Sequence, residues 1–549
     1  MRRCLLPVIL AVAVGCDEPP EIPAAATHFL HDLGPDAPFW SSPLPSDLRR
    51  HADGTIDLGG FPNPDDVPFV ATLVQLVDGV LGGFGTTSTI YLPLDGPLAE
   101  GFSLDIHQTV ADDSPVFLVG LDPGSEDFGV RLPVDVTFLE DAEPFGSRNL
   151  LSLLPLQGRP LLPDTRYAAV ALTAVEDAAG QPVGPAPLAD LPHPYPLAVE
   201  TLVGIGVVRE EIAGIAVFTT QDPTAELLSL ADAASAWPPE PLSAPELTDV
   251  FDEFCVYRTV VPMPVFQAGD PPFLTGGGGI VWDGQGTPEL QGLEDAHLDL
   301  TVPRSTPPAG GWPTALFIRT GAGGERPLVD RGVQDAEGVP LEPGNGLARE
   351  LAAAGYAGAS VDGPHGGLRN VTGGDEQFLI FNIANPVAMR DNLRQSAAEL
   401  TLMPDLLGSL TLDTADCPGA GPSTTFDGGE LPLIGHSMGA TIAPLTLYAD
   451  RRFGAVVLSG AGGSWIHNII HKLSPLEVRP MAEAVLGYDE GQLVADDPAL
   501  ALLQWAGESA DPPPYAAALA GGEGPQTLML QGIVDTYILP PMANATSLS

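Results

Sequence analysis

The spacing of hydrophobic and polar positions changes near the middle of the chain. Between about residues 28 and 220, short β-rich runs alternate with turn-forming residues such as Asp122-Pro123-Gly124. Short strands at this spacing are typical of an antiparallel sandwich. We therefore predict an all-β, Ig-like sandwich over residues 28–222, with strands near 89–93, 116–120, 130–138, 166–174 and 218–220.

A different pattern follows this β-rich region. Pro223 to Trp237 has the apolar spacing of a helix, and Pro238 to Pro245 is rich in proline. Proline cannot continue a helix or the interior of a sheet, so the second run breaks regular structure. We predict a helical and proline-rich linker at residues 223–249.

From about residue 250, short apolar strands alternate with amphipathic helices. This alternation is typical of an α/β domain, in which helices cover both faces of a mostly parallel sheet. One helix has a strong start signal, since Asn385 can cap it and Pro386 fits its first position. We place this α/β domain at residues 250–549, with strands at 314–319, 357–361, 431–434, 455–459 and 527–531.

The composition excludes some functions. Hydrophobic residues make up 44% of the 549 residues, enough to build real cores. The chain has 22 Lys and Arg against 71 Asp and Glu, a net charge of −49, and Lys472 is its only lysine. A field of this sign repels phosphate backbones, so we exclude nucleic acid as a partner. The acidity is equally compatible with high solubility and with a salty habitat.

The N-terminus has the pattern of an export signal. Met1-Arg2-Arg3 is positively charged, and the apolar run from Leu5 to Val14 is too short to span a membrane. Ala13-Val14-Gly15-Cys16 resembles the bacterial lipobox, in which the chain is cut before the cysteine and the thiol is lipidated. The alternative is an ordinary cleavable signal with an incidental cysteine.

The lipobox interpretation divides the first 27 residues in two. Residues 1–15 would be a lipoprotein signal peptide, and residues 16–27 a tether stiffened by proline. A lipid on Cys16 would hold the protein on a membrane. We therefore expect an exported protein, either a bacterial cell-envelope lipoprotein or a secreted one.

The cysteine count agrees with export. Cys4 lies in the signal, and Cys16 would carry the lipid, which leaves Cys255 and Cys417. In an oxidising compartment these two can form a disulfide, and the alternative is two separate buried thiols. The chain has no His-Glu-x-x-His motif and too few cysteines for a zinc site, so we expect no metal and no cofactor.

The strongest chemical signal is the segment Gly435-His436-Ser437-Met438-Gly439. It directly follows the predicted strand 431–434 and precedes the helical run 440–449. A strand, a tight turn with small neighbours and a helix form a nucleophile elbow, which exposes the serine hydroxyl at a helix N-terminus. Ser437 is therefore the candidate nucleophile, and we interpret His436 as a packing residue.

With this motif the chain resembles the α/β-hydrolases, and more narrowly the large bacterial exported lipase and esterase lipoproteins that carry a β-rich N-terminal domain. The narrower resemblance rests on several segments spread over most of the chain. They are Pro43 to Phe61, Phe266-Gln267, Gly355-Tyr356, Asp362 to Gly366, and Asn385-Pro386 with Arg390 to Gln395.

The resemblance implies a serine hydrolase that cleaves carboxylic esters. The backbone N–H of Met438 would stabilise the oxyanion, together with an N–H of Ala322 or Gly321 in the loop after the strand 314–319. In the family this loop begins with His-Gly, and Thr320 departs from that pattern. Gly532-Ile533-Val534-Asp535 matches the family's Gly-x-x-Asp, which makes Asp535 the candidate triad acid.

The triad histidine has no counterpart at the family's position. The family order is Ser, Asp and then His, and no histidine follows Asp535. His365, His467 and His471 come earlier in the chain. We expect that the sequence is truncated at its C-terminus, that the general base is missing, and that hydrolysis is weak or absent. The alternative function is an inactive surface lipoprotein that acts as a binding module.

Overall fold

The computed structural model describes residues 27–549, except residues 33, 35, 322, 323, 334, 336–340, 430 and 523. The predicted signal peptide, Cys16 and all of the predicted tether but Thr27 lie outside the described residues, and so does Ala322. The lipid anchor therefore stays a prediction. None of the helices in the described part is long and apolar enough to cross a membrane.

Two four-stranded antiparallel sheets form the N-terminal part of the chain. The first has the order β1-β6-β5-β2, and the second has the order β4-β3-β7-β8. In chain order the strands are β1 (Ile90–Pro93), β2 (Ser103–Leu104), β3 (Val116–Gly120), β4 (Arg131–Leu132), β5 (Val134–Asp141), β6 (Arg148–Pro155), β7 (Arg166–Leu172) and β8 (Ile212–Thr219). Along β5, Val134, Val136 and Phe138 are buried while Asp135 is exposed. This period of two is what a strand with one covered face requires.

Four α-helices accompany these sheets or follow them. The helix α1 begins with Pro68 and buries Val70, Leu73 and Val77, so its apolar face points into the core. The helices α1, α2 and α3 lie within residues 28–222, for which the sequence pattern predicts a sandwich of strands. The helices are α1 (Pro68–Val77), α2 (Ile106–Thr109), α3 (Tyr195–Gly204) and α4 (Ala225–Ser235), and short 3₁₀ turns lie at Phe39–Ser41 and Arg209–Glu211.

A ten-stranded mixed sheet forms the second part of the chain. Its main path is β18-β17-β16-β12-β13-β11-β10-β9. The strands β12, β13, β16, β17 and β18 are parallel, which confirms the predicted α/β class. The ranges are β9 (Glu246–Val250), β10 (Phe254–Val265), β11 (Gly292–Pro303), β12 (Trp312–Ile318), β13 (Ala357–Val361), β14 (Thr411–Asp413), β15 (Ser423–Asp427), β16 (Pro432–His436), β17 (Ala455–Ser459) and β18 (Gln526–Leu530).

Helices connect and cover these strands. They are α5 (Pro327–Asp330), α6 (Leu347–Ala353), α7 (Glu376–Ile380), α8 (Pro386–Leu400), α9 (Met403–Ser409), α10 (Met438–Ala449), α11 (Trp465–His471), α12 (Val478–Leu486), α13 (Pro498–Gly507), α14 (Pro512–Ala520) and α15 (Pro540–Ser547), with 3₁₀ turns at Gly367–Arg369 and Glu508–Ala510. As predicted, Asn385 caps α8 by accepting a hydrogen bond from the N–H of Ala388. Four helices, α11 to α14, lie between β17 and β18 in the chain, and we call them the roof helices.

The helix α8 is almost entirely buried although it carries many polar residues. Gln267 donates to Asn392 Oδ1 at 2.8 Å, and the backbone N–H of Phe266 donates to Gln395 Oε1 at 3.0 Å. The backbone N–H of Ile280 donates to Asp391 Oδ2 at 3.0 Å. Buried polar groups need such partners, so these residues fix the position of α8. All of them except Ile280 belong to the segments that carry the narrower family resemblance.

Cys255 and Cys417 form a disulfide bond. Cys255 lies on β10, and Cys417 lies in the connection between β14 and β15. Both residues are buried in the main hydrophobic cluster. The bond therefore ties the connection between β14 and β15 to the large sheet.

The roof helices are joined to the N-terminal part by a buried carboxyl group. Glu508, directly after α13, is fully buried. Its oxygens accept hydrogen bonds from the backbone N–H and the hydroxyl of both Thr86 and Thr87, and from Gln221 Nε2 at 3.0 Å. Because one cluster of buried apolar residues also runs through both parts, they share a core.

Replacing Glu508 by alanine tests this junction. The substitution leaves two buried amide groups and two buried hydroxyls without their acceptor, which we expect to lower the free energy of unfolding by about 3 kcal/mol. Urea unfolding followed by circular dichroism measures the change. Glu490→Ala removes the same charge at an exposed position and should change stability little. A loss no larger than that of the control would show that the carboxyl group is not a structural tie.

Candidate active site

Ser437 lies in a tight turn between β16 and α10. Its φ is 51° and its ψ is −116°, a conformation that residues with a side chain rarely adopt. Its backbone N–H donates to the carbonyl oxygen of Ser459 on β17 at 2.8 Å. A Cβ on Gly435 would lie 2.6 Å from the Gly439 oxygen, and a Cβ on Gly439 would lie 2.7 Å from the Ile318 oxygen. Both glycines are therefore needed for the turn to close.

This turn stands at the carboxyl end of β16, which lies between the parallel strands β12 and β17. A strand, a strained serine turn and a helix at that edge of a mostly parallel sheet form the nucleophile elbow. The chain has the α/β-hydrolase fold. Its N-terminal part is β-rich, as the two antiparallel sheets show.

Ser437 lines a cavity of about 120 Å³ between the sheet edge and the roof helices. Most of the other lining side chains are apolar, and they come from α7, α8, α10, α11, α12 and α14, from the connections after α7 and α11, and from the segment after β18. Among them are Phe378, Phe381, Met389, Trp465, Ile469, Leu476, Met481 and Ile538. The polar exceptions include Lys472 and Asp511. A largely apolar site of this kind suits an apolar ligand group next to the serine.

Two of the predicted oxyanion donors lie in the described part of the chain. Met438 is the first residue of α10, where helix N–H groups have no partner within the helix. Gly321 follows β12, and its backbone packs closely on Gln377, which lines the cavity. A Cβ on Gly321 would lie 2.2 Å from Gln377 Cγ. The Gly321 oxygen accepts from Arg331 Nη1 at 3.0 Å. Thr320 is buried beside it, and Ala322 lies outside the described residues.

Asp535 lies in the segment after β18, at the same edge of the sheet as Ser437. It is half-buried, and its Oδ1 accepts from the backbone N–H groups of Tyr537 at 2.8 Å and Ile538 at 3.0 Å. Ile538 lines the cavity with Ser437. Asp535 is also close enough for its charge to act on the pKa values of His436 and Lys472. The structure therefore brings the candidate acid to the side of the elbow.

The ten histidines of the chain all fall among the described residues, and none of their hydrogen bonds goes to Ser437 Oγ. His436 Nδ1 lies 3.1 Å from Ser459 Oγ, and burial, then the nearby Arg331, lowers its pKa. His365 is buried beside Asn392, at 3.3 Å, and burial lowers its pKa to about 4.

The two histidines on α11 do not line the cavity either. Trp465, Asn468 and Ile469 form the face of α11 that lines it. His467 and His471 lie outside that face, and His467 Nδ1 is 3.2 Å from the carbonyl oxygen of Pro541. Burial, then the neighbouring His471, lowers the pKa of His467 to about 4. None of these histidine contacts therefore supplies a proton acceptor for the Ser437 hydroxyl.

Sequence reasoning missed the polar residues of the roof that line the cavity. Asp511 is fully buried, and its oxygens accept from the backbone N–H of Ser464 at 2.8 and 3.1 Å and from Gln504 Nε2 at 2.7 Å. Burial raises its pKa to about 7. Nothing in the local sequence marks Asp511, whereas the uniqueness of Lys472 was a usable signal.

Solved structures that are similar to this chain at low identity include three esterases. Acetyl xylan esterase 1 from a Thermoanaerobacterium species has 12% identity and a TM-score of 0.36, over 59% of this chain and 83% of that chain. An acetyl xylan esterase from a Paenibacillus species has 14% identity and a TM-score of 0.36, over 59% and 84%. A glucuronoyl esterase from Solibacter usitatus has 16% identity and a TM-score of 0.28, over 67% and 82%. The sequence matches no family model and no curated protein.

The strain at Ser437 predicts a stability difference between two substitutions. Ser437→Gly removes the Cβ that disfavours this turn, whereas Ser437→Ala keeps it. We expect the glycine variant to be more stable than the alanine variant by about 1 kcal/mol, after the entropy cost of glycine. Urea unfolding of both variants measures the difference. A glycine variant that is less stable than the alanine variant would show that the turn is not strained.

Asp511 predicts a pH dependence of stability. Its pKa is about 7 in the folded chain, against an ordinary value of 3.8, so the folded state holds this proton over that interval. Stability should therefore fall as the pH rises from about 4 to 7, because the folded state then binds more protons than the unfolded state. In Asp511→Asn this contribution should be absent, so its free energy of unfolding should depend less on pH than that of the wild type. Asp489→Asn, at an exposed site, should keep the wild-type slope, and an equal slope in all three proteins would contradict the prediction.

Proposed function

We propose that this chain is a serine hydrolase of carboxylic esters, with Ser437 as its nucleophile. The observation that carries the proposal is a serine held at positive φ in a strand–helix elbow, in the wall of a largely apolar cavity. Such a turn is costly, and strain of this kind is kept where the surrounding packing holds it in place. The elbow geometry serves acyl transfer, because it exposes the hydroxyl beside backbone N–H groups.

We propose the following reaction. Ser437 Oγ attacks the acyl carbon, and the carbonyl oxygen becomes an oxyanion held by the Met438 N–H and by an N–H of Gly321 or Ala322. Each such donor contributes about 3–4 kcal/mol in comparable sites. The bond to the alcohol oxygen then breaks, and the alcohol leaves with a proton. Water attacks the acyl-enzyme and releases the acid, which restores the Ser437 hydroxyl.

The Ser437 proton must pass to a base before or during the attack. We assign Asp535 the role of a triad acid, which orients an imidazole and stabilises its charge. Because none of the histidine hydrogen bonds in the described part reaches Ser437, we propose that this chain reacts slowly unless a base is supplied. The same observation favours the second candidate function, a binding module that has kept the fold without the activity.

Covalent labelling separates the two functions. We expect a fluorophosphonate probe to label the protein slowly at neutral pH and faster when imidazole is added, because free imidazole can accept the Ser437 proton. Ser437→Ala should abolish the labelling with and without imidazole. In-gel fluorescence over time measures the rate.

The control is Ser305→Ala, which removes an exposed serine and should label like the wild type. Labelling that persists in Ser437→Ala would disprove the assigned nucleophile. If the wild type is not labelled even with imidazole, the binding module is the better interpretation.

A further inference from the structure

The only lysine of the chain lies in the wall of the candidate active site. Lys472 follows α11 directly, and it lines the cavity together with Ser437, Trp465 and Ile469. The protein has 71 acidic residues and 22 Lys and Arg, so a cation at any given place is uncommon. Its place in the same cavity wall as the candidate nucleophile therefore suggests a chemical role.

Lys472 differs from most cations of the chain in its partners. Fourteen arginines of the described part lie within salt-bridge distance of a carboxylate. Lys472 forms no such pair with any described residue, and its Nζ donates to the carbonyl oxygen of Tyr537 at 2.9 Å. An ammonium group has three donors, so this bond leaves two of them for another acceptor.

The surroundings do not neutralise this charge. Burial lowers the pKa of Lys472, and the more distant Asp535 opposes that effect. The carboxyl group of Asp511, which also lines the cavity, is occupied by Ser464 and Gln504. A charge next to apolar side chains is costly unless an anion joins it. A ligand that brings one negative charge would compensate it.

We propose that Lys472 binds a carboxylate of the substrate, so that the site takes esters with one free carboxylate on an apolar body. The proposal rests on the proposed ester hydrolysis at Ser437, which defines where the ester group lies. One ammonium compensates one charge, and the net charge of −49 disfavours ligands with two. The apolar side chains of the cavity suit the hydrocarbon between the carboxylate and the ester.

A matched pair of ligands tests the proposal by binding. Monomethyl suberate carries one free carboxylate, and dimethyl suberate differs from it only in having that carboxylate methylated. Binding of each ester is measured by isothermal titration calorimetry with the Ser437→Ala variant. This variant lacks the proposed nucleophile and does not consume the ester, so the result does not depend on turnover. We expect the half-ester to bind about fivefold more tightly than the diester, as one partly exposed ion pair allows.

Substitutions at Lys472 then assign the preference to its charge. Lys472→Met should abolish the preference for the half-ester, whereas Lys472→Arg, which keeps the charge, should retain most of it. Arg451→Met removes one charge from an exposed position and should leave the preference unchanged.

Three outcomes would overturn the proposal. They are equal or weaker binding of the half-ester, no binding of either ester, and a preference that survives in Lys472→Met. If Lys472 only ties its loop to Tyr537, Lys472→Met would lower stability without changing the ratio of the two affinities. Failure of the proposed hydrolysis would appear separately, as absent labelling of Ser437 by the fluorophosphonate probe.

Discussion

Ser437 is held in a backbone conformation that serine adopts only under constraint, and the rest of the site is arranged around that turn. The constraint comes from three neighbours: the Ser459 carbonyl accepts its N–H, and Gly435 and Gly439 let β16, α10 and the end of β12 approach to contact distance. A side chain at either glycine would separate these elements. The hydroxyl in the cavity wall, the N-terminus of α10 and the cavity therefore all depend on the close packing of three backbones.

The polar residues behind the narrower family resemblance mostly hold the fold together and do not line the cavity. Asn385, Asn392 and Gln395 lie on or beside α8 and are occupied by hydrogen bonds to neighbouring backbone and side chains. The helix α8 packs against α10, which carries the elbow at its start. A buried helix with so many polar groups can be placed in only a few ways, because each group needs its partner. The hydrogen bonds of α8 therefore also fix the position of α10, which packs against it. His365 belongs to this hydrogen-bond network through Asn392 and not to the candidate active site.

The local parts of this architecture could be predicted from the sequence, and the long-range parts could not. The elbow, the parallel strands and the start of α8 follow from patterns within about ten residues, such as Asn385-Pro386 before an apolar run. The helix α3 was missed, since its segment begins in a proline-rich stretch and its apolar residues also suit a strand. Residues of the cavity wall such as Trp465 and Asp511 carry no local signal, because they meet Ser437 only after the roof helices have packed. For the same reason, the sequence could not decide between a Cys255–Cys417 disulfide and two separate buried thiols.

The N-terminal part contributes to the active site through the roof. Gln157, just after β6, donates to the Thr87 carbonyl at 2.9 Å and accepts from the Ser464 hydroxyl at 2.7 Å, and the Ser464 N–H donates in turn to Asp511 in the cavity wall. Domains that move independently usually meet at smaller and more polar surfaces. Here the junction contains a buried carboxyl group and a continuous apolar cluster, so separating the two parts would expose both. The N-terminal sheets are therefore better understood as the support of the cavity wall than as an appended binding module.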